Sequence, residues 1–450
     1  MVLDENMLNE MDKYIHSHRD EIIKDLRELV EIPSVREEEM RDAPYGQPCR
    51  VALDKSLELF EKNGFVGQFA KSKKYIISGY GRQGKTLGLF GHCDVVAAEG
   101  EWLYGEPFQL TERDGFLIGR GCNDDKSGIV QMLYAAKMIK ELQIPMRNRL
   151  LFFVGSAEED GMDDIVDFVK NENIPDLSIV LDGEYPYYAA EKSRTRILLE
   201  SCTPFEQIKD IRGGKCYNII LNSVEIEYED GSTVKVNGAG GHAGSPEGIE
   251  NPLVKYIENL SGEEKISRSD KEILKDVYEI LSDCYGSGLS IDQNDPFWGK
   301  LTCANGIVRV RKGRLRISLD IRHGNSVCGE ELLTKIQETL KGRWKVVESS
   351  FLPGYIIDEE MKAAVILREV YSSLSGISCV SGKKIAGGTY SKFLKNAFSI
   401  GTVMPHPELK HGFKEGHGDV HAPDETMSEK GFLEAIKTLV VMILEIDKIL

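Results

Sequence analysis

The residues best suited to chemistry begin at Gly91-His92-Cys93-Asp94, where the short apolar run Leu87–Phe90 ends in a histidine and an aspartate one residue apart. A run of that length reads as a buried strand, and if it persists to Asp94 the alternation of side chains puts both polar groups on one face. That pairing suits a metal-binding imidazole whose second nitrogen is held by a carboxylate. A solvated strand end would carry it too. Further along, Gly119-Arg120-Gly121-Cys122-Asn123-Asp124-Asp125 is a glycine-flanked loop that leads into a helical pattern near Ile129. Either aspartate alone fits a helix cap. Two together on a tight turn suit a ligand that presents both oxygens to two cations at once.

The theme repeats. Leu150–Gly155 reads as a buried strand and runs into Glu158-Glu159-Asp160, a costly place to bury charge without a cation. Ser178–Leu181 then delivers Asp182, with Glu184 close behind. Four successive strand ends therefore offer His, Asp or Glu, and in open α/β sheets ligands bind outside the carboxyl ends of the strands. Two histidine-bearing loops remain. Gly238–Pro246 is glycine-rich and presents His242, while His411, His417 and His421 fall within eleven residues without revealing which could be a ligand.

Several elements must carry these groups. Residues 1–30 form an amphipathic helix, a second spans Val51–Asn63 and stops at Gly64, and strands follow at Tyr75–Ser78 and Leu87–Phe90. From 190 to 386 the pattern becomes α+β: strands at Arg196–Glu200, Tyr217–Tyr228, Thr233–Asn237, Gly306–Val310 and Leu315–Ile321 mix with helices at Asn251–Leu260, Asp270–Leu281 and Glu330–Leu340. The expected organisation is an α/β catalytic domain built from 1–189 and 387–450, with 190–386 inserted as a second domain. The last segment opens with the turn Gly387-Gly388-Thr389-Tyr390 and ends in a helix over Ser428–Leu450.

Composition bounds the function classes. A chain of 450 residues with 41% hydrophobic and 29% charged residues is a globular protein of more than one domain. Its net charge of −17 argues against nucleic acid as a partner. Nine cysteines without a Cys-x-x-Cys pair read as free thiols in a reducing compartment, which points to the cytoplasm. The longest apolar run, Leu439–Leu444, is far too short to span a bilayer, so no membrane role is expected.

Taken in order, these motifs, with Trp102, Pro107-Phe108, Ser245-Pro246, Asp320-Ile321-Arg322 and Glu425 four residues after His421, resemble the M20 family of metallopeptidases, most closely its bacterial PepV-type dipeptidases. The resemblance implies a mixed-sheet zinc-peptidase-like catalytic domain with an inserted lid. It implies that Asp124 bridges two divalent metal ions, zinc with manganese or cobalt as alternatives. His92 and Asp182 would complete one site, and Glu159 and His421 the other. Glu158 matches the general base and Asp94 the carboxylate behind His92, while the Asp124-Asp125 peptide is cis in similar enzymes. His242 matches a lid histidine that reaches the oxyanion, and Asn218, Arg322 and Gly388 match substrate-binding positions. Asp rather than Glu at the position of Asp182 favours a dipeptidase over an acyl-amino-acid hydrolase or carboxypeptidase, with Glu184 leaving that assignment open. The size of the insertion resembles the enlarged lid of monomeric members. The implied substrate is a small peptide with a free C-terminus.

Overall fold

The computed structural model describes residues 4–81, 84–260, 266–379 and 381–450. The chain divides into two compact units, one of Met1–Ala190, Ile356–Lys384 and Thr389–Leu450, the other of Glu191–Tyr355 and Ile385–Gly388.

The first unit opens with α1 (Glu5–Val30), capped by Asp4, whose carboxylate accepts the Asn6 N–H at 2.9 Å. Then come α2 (Gln47–Lys62), β1 (Gly67–Phe69), β2 (Tyr75–Tyr80), β3 (Thr86–His92), β4 (Thr111–Arg113), β5 (Phe116–Ile118), α3 (Lys126–Glu141), β6 (Arg149–Gly155), α4 (Asp163–Asn171) and β7 (Leu177–Gly183). A six-stranded sheet runs β1-β2-β6-β3-β7 and ends at Ala397–Gly401. Its β6, β3, β7 and Ala397–Gly401 strands are mutually parallel, while β1 and β2 run antiparallel at the edge. Parallel strands are buried on both faces, which explains their unbroken apolar runs.

One face packs α3, whose residues from Lys126 to Ile139 are all buried. The helix is enclosed by α1 and the C-terminal helix Glu429–Asp447, so apolar residues on every side of it have a partner. The other face stacks Phe90, Phe153 and Tyr75 against Phe168 of α4. A separate three-stranded sheet pairs β5 with β4 and with Thr426–Ser428, placing Thr426 opposite Ile118.

The second unit holds a five-stranded antiparallel sheet formed by Thr302–Ala304, Arg314–His323, Ser193–Ser201, Trp344–Leu352 and Val308–Arg311. Ile197, Leu199, Ile317 and Leu319 of that sheet share one core with Leu274 and Val277 of the helix Arg268–Leu281 and with Leu332 and Ile336 of Gly329–Thr339.

Several expectations are corrected. β3 ends at His92 and does not reach Asp94. The loop bearing Asp124 follows β5 of the small sheet, so only three of the four ligand-bearing segments leave the main sheet. The expected strand Tyr217–Tyr228 divides into Ile219–Ile220 and Ser223–Tyr228. The turn at Gly387-Gly388 leads into a short 3-10 turn, Tyr390–Phe393. The second unit excludes 356–384, which the expected 190–386 insertion had claimed. The helix Lys362–Ser375 buries Leu367, Val370 and Tyr371 in the core of the first unit, and an amphipathic pattern does not say which core its apolar stripe will meet. Of the N-terminal helix, residues 1–3 lie outside the described residues.

Asp25 of α1 is fully buried; it accepts the Tyr134 hydroxyl of α3 at 2.8 Å and lies 3.3 Å from Lys62 Nζ of α2. Tyr134→Phe leaves that carboxylate short of a donor, so the urea midpoint of the metal-free protein should fall by the equivalent of about 1–3 kcal/mol with metal content unchanged. An unshifted midpoint would show that Asp25 does not depend on the hydroxyl.

Candidate metal centre

β3 delivers His92 at its last residue, and the ring is fully buried. Although the strand stops there, Asp94 still serves the ring: His92 Nδ1 lies 3.0 Å from the Asp94 carbonyl and 3.4 Å from its carboxylate. A ring nitrogen beside a carbonyl carries the proton, which leaves Nε2 as the ligating atom. The Asp94 carboxylate also accepts the N–H groups of Glu158 and Glu159 at 3.2 and 3.0 Å. One side chain thereby fixes both the imidazole and the acidic turn after β6.

Asp124 stands between the two histidines. Its Oδ1 lies 3.1 Å from His92 Nε2 and its Oδ2 3.0 Å from His421 Nε2, which is also 3.1 Å from Glu159 Oε1. Ligating atoms of Asp124, Glu159 and His421 fall within 4.8 Å of one another, as do those of His92, Glu158 and Asp182. The Asp124-Asp125 peptide is cis. Asp125 points away from this cage: its Oδ2 accepts the His92 N–H at 3.1 Å, and a Cβ at Gly91 or Gly128 would come within 2.9 or 2.3 Å of its carboxylate. His421 has a positive φ of 65°, a left-handed conformation disfavoured for residues with a Cβ.

The donor set fits a pair of divalent cations. Two imidazoles and several carboxylates converge, one carboxylate turns an oxygen to each imidazole, and Glu158 Oε1 is buried without a hydrogen-bond partner among the described residues. The electrostatics of the metal-free cage agree. Burial, then the Asp182 charge, pushes the Glu158 carboxyl well above its usual range. Burial would raise Asp124 as well, but His421 and His92 hold it well below. The charge of Glu159, helped by hydrogen bonds to Asp124 and Glu159, pushes the His421 imidazolium up to about 12. For His92 burial opposes the charge, yet Asp124 and Asp94 outweigh it and raise the ring well above its ordinary value.

The remaining candidates sort plainly. His417 Nδ1 is 2.6 Å from the buried Asp424 carboxylate, and the His411 ring packs 4.5 Å from that of Phe413, so His421 alone of the three reaches the cage. Glu184 is exposed and paired with Lys383, while Asp182 sits with His92 and Glu158. In the second unit, Ile219–Ile220 pairs with Gly241–His242 and the Asn218 carbonyl accepts the Ala243 N–H at 2.8 Å, which brings Asn218 beside the exposed His242. Arg322 is 2% exposed; it donates to Asp320 and to the Ala386 carbonyl at 2.8 Å, two residues before Gly388. A surface arginine at a strand edge would make neither contact.

Sequence reasoning assigned no role to four residues that build the cage from behind: Arg120, Asp125, Asp164 and Glu425. Asp164 accepts the N–H groups of Ser156 and Ala157 and the hydroxyl of Tyr390, and burial pushes its carboxyl up to about 6. The partners of Glu425 lie more than 300 residues away in sequence, beyond any local signal.

The chain is thus a two-unit α/β protein in which one carboxylate stands between a pair of imidazoles. Residues 88–445 match the peptidase family M20/M25/M40, and the chain belongs to it. It is 24% identical over 439 residues to the Beta-Ala-Xaa dipeptidase of Lactobacillus delbrueckii subsp. lactis, covering 88% of this chain and 92% of that one. Its fold is that of human carnosine dipeptidase 1 (TM-score 0.61, 15% identity, 98% of this chain and 100% of that one). It is also that of the YxeP protein of Bacillus subtilis, a dinuclear metal-binding peptidase (TM-score 0.54, 12% identity, 97% and 100%).

Since an imidazolium cannot ligate, metal uptake at neutral pH should expel protons from His92 and His421, and the apparent affinity should rise with pH. Calorimetry in buffers of different ionisation enthalpy reads the release directly. A pH-independent affinity with no proton release would contradict the charge state derived for the cage.

Proposed function

We propose that this chain is a di-metal dipeptidase that hydrolyses dipeptides or short peptides with a free C-terminus. The observation that carries the reading is the placement of Asp124, one oxygen toward each histidine, with the unpartnered Glu158 oxygen grouped with His92 and Asp182. Asp124, His92 and Asp182 would hold one cation, and Asp124, Glu159 and His421 the other. Zinc is the proposed metal; manganese and cobalt suit the same mixture of imidazole and carboxylate. When bound, such a pair lowers the pKa of a shared water toward neutrality.

The chain's own groups do the rest. Glu158 takes the proton of the attacking water and returns it to the leaving amine, a role suited to a carboxyl whose proton affinity is raised by burial. Asp94 keeps His92 in the ligating tautomer and fixes the turn that carries the base. His242 of the second unit would serve the oxyanion, with Asn218 beside it. Arg322, with one N–H left on each Nη, and Gly388 would serve the substrate's terminal carboxylate. The exposed Glu184, already paired with Lys383, gives no support to a glutamate at the fourth metal position, which is the pattern of the acyl-amino-acid hydrolases and carboxypeptidases. Its nine free cysteines support a reducing, cytoplasmic setting, and the size of the insertion supports a monomer. No helix among the described residues is long and apolar enough to cross a membrane.

Glu158→Ala should keep both metal ions and lose roughly a hundred- to ten-thousand-fold in turnover, assayed on a dipeptide panel alongside acetylated amino acids with added Zn²⁺, Mn²⁺ or Co²⁺. Unchanged turnover removes Glu158 as the base; turnover of acetylated amino acids alone removes the dipeptidase reading.

A further inference from the structure

Glu425 is fully buried four residues after His421, and it does not face the cage. Its Oε1 accepts the N–H groups of Gly121, Asn123 and Asp124 at 3.1, 2.9 and 3.1 Å, and its Oε2 pairs with Arg120 Nη1 at 2.6 Å. With those partners the carboxylate is satisfied. The other arm of Arg120 donates to the carbonyls of His421 and Ala422, both at 3.2 Å. The grip is therefore reciprocal: the loop that ends at Glu425 holds the backbone of Asp124, and the loop that contains Asp124 holds the backbone of His421. The pairing of β5 with Thr426–Ser428 brings the two loops side by side, and the Gly119 N–H closes the contact on the Glu425 carbonyl at 2.9 Å.

The two halves of the cage are anchored differently. His92 and Asp182 sit on β3 and β7, neighbours in the main sheet whose positions are set by paired strands. His421 sits in a loop with φ of 65°, a conformation the residue would leave if its carbonyl were released. Asp124 is the only group common to both halves, and its own N–H is one of the three that Glu425 holds.

We infer that Glu425 and Arg120 are positioning residues whose ion pair registers Asp124 to His421, so that the site completed by Glu159 and His421 depends on them, while the site completed by His92 and Asp182 keeps both of those ligands on paired strands. Breaking the pair weakens one site of the two-metal centre and spares the other. This rests on the di-metal reading above.

Glu425→Gln keeps the shape and an acceptor for the N–H groups but loses the charge that binds Arg120. Equilibrium dialysis against Co²⁺, with the cobalt absorption spectrum as a second readout, should find two ions per chain in the parent. In the variant the first ion should bind as in the parent and the second about 10- to 100-fold more weakly. Excess Co²⁺ should restore most of the turnover, as a lost catalytic group would not. Arg120→Lys, which keeps the charge but cannot span both partners, should show the same split and serves if Glu425→Gln fails to fold. Parental affinity at both sites in a folded variant, or equal weakening of both, overturns the inference. A parent that binds two ions but cleaves no peptide sinks the proposed function and leaves the stoichiometry test standing. A parent that binds fewer than two sinks both.

Discussion

Carboxylates packed into a pocket poor in water repel one another, and each must find a proton, a cation or a main-chain N–H before the chain can close around it. The first unit meets that demand in two layers. In the inner layer Asp124, Glu158, Glu159 and Asp182 share the charges of His92 and His421, and the excess of acid over imidazole is what a pair of divalent cations offsets. In the outer layer Asp94, Asp125, Asp164 and Glu425 are buried carboxylates that face backbone N–H groups instead. Asp94, Asp164 and Glu425 each grip a segment that carries an inner acid, and Asp125 grips the strand end that carries His92. The main-chain N–H groups of those loops do for the outer acids what cations do for the inner ones.

That arrangement explains why the fold looks as it does around the site. Parallel strands end with free carbonyl-side loops on one edge, and β3, β6 and β7 are direct neighbours there, so His92, the Glu158 turn and Asp182 need only short excursions to meet. Asp124 cannot arrive by the same route, because its loop must enter from beside the sheet and feed α3, the most enclosed helix of the unit. The small sheet of β4, β5 and Thr426–Ser428 solves this by anchoring both loops that lack a main-sheet strand. Lys126, at the start of α3, is buried with its ammonium on the Ile32 carbonyl at 2.6 Å, and burial lowers its pKa to about 8. Lys126, like the buried acids, thus finds its partner in the backbone.

How much of this the sequence disclosed follows from which forces are local. His92, Glu158 and Asp182 were legible because each ends an apolar run whose length betrays a buried strand, and Asp124 because two acids on a glycine turn ask for a cation. His421 was not distinguishable from His411 and His417 by spacing. The difference lies in what each ring meets: Asp424 engages His417, Phe413 and Phe116 pack against His411, and of the three His421 faces Asp124 and Glu159, which lie far off in sequence. Glu425 and Arg120 stood inside quoted motifs, yet their meaning depends on a contact spanning about 300 residues. The helix Lys362–Ser375 was placed in the wrong unit for the same reason, since its stripe of Leu367, Val370 and Tyr371 would suit either core.

Every group of the cage and every carboxylate behind it belongs to the first unit, whereas Asn218, His242, Arg322 and Gly388 all belong to the second. On the roles proposed above, metal occupancy would belong to one core and its loops, and recognition of the substrate to the other. Within the second unit Arg322 is already tied to Asp320 and to the Ala386 carbonyl, so its guanidinium is oriented before any ligand arrives, and Asn218, whose carbonyl accepts the Ala243 N–H, is held beside the two-stranded ladder that carries His242. A guanidinium fixed in advance loses little freedom when a carboxylate docks. Two preorganised halves, each stable through its own contacts, allow substitutions in one to be interpreted without assuming damage to the other.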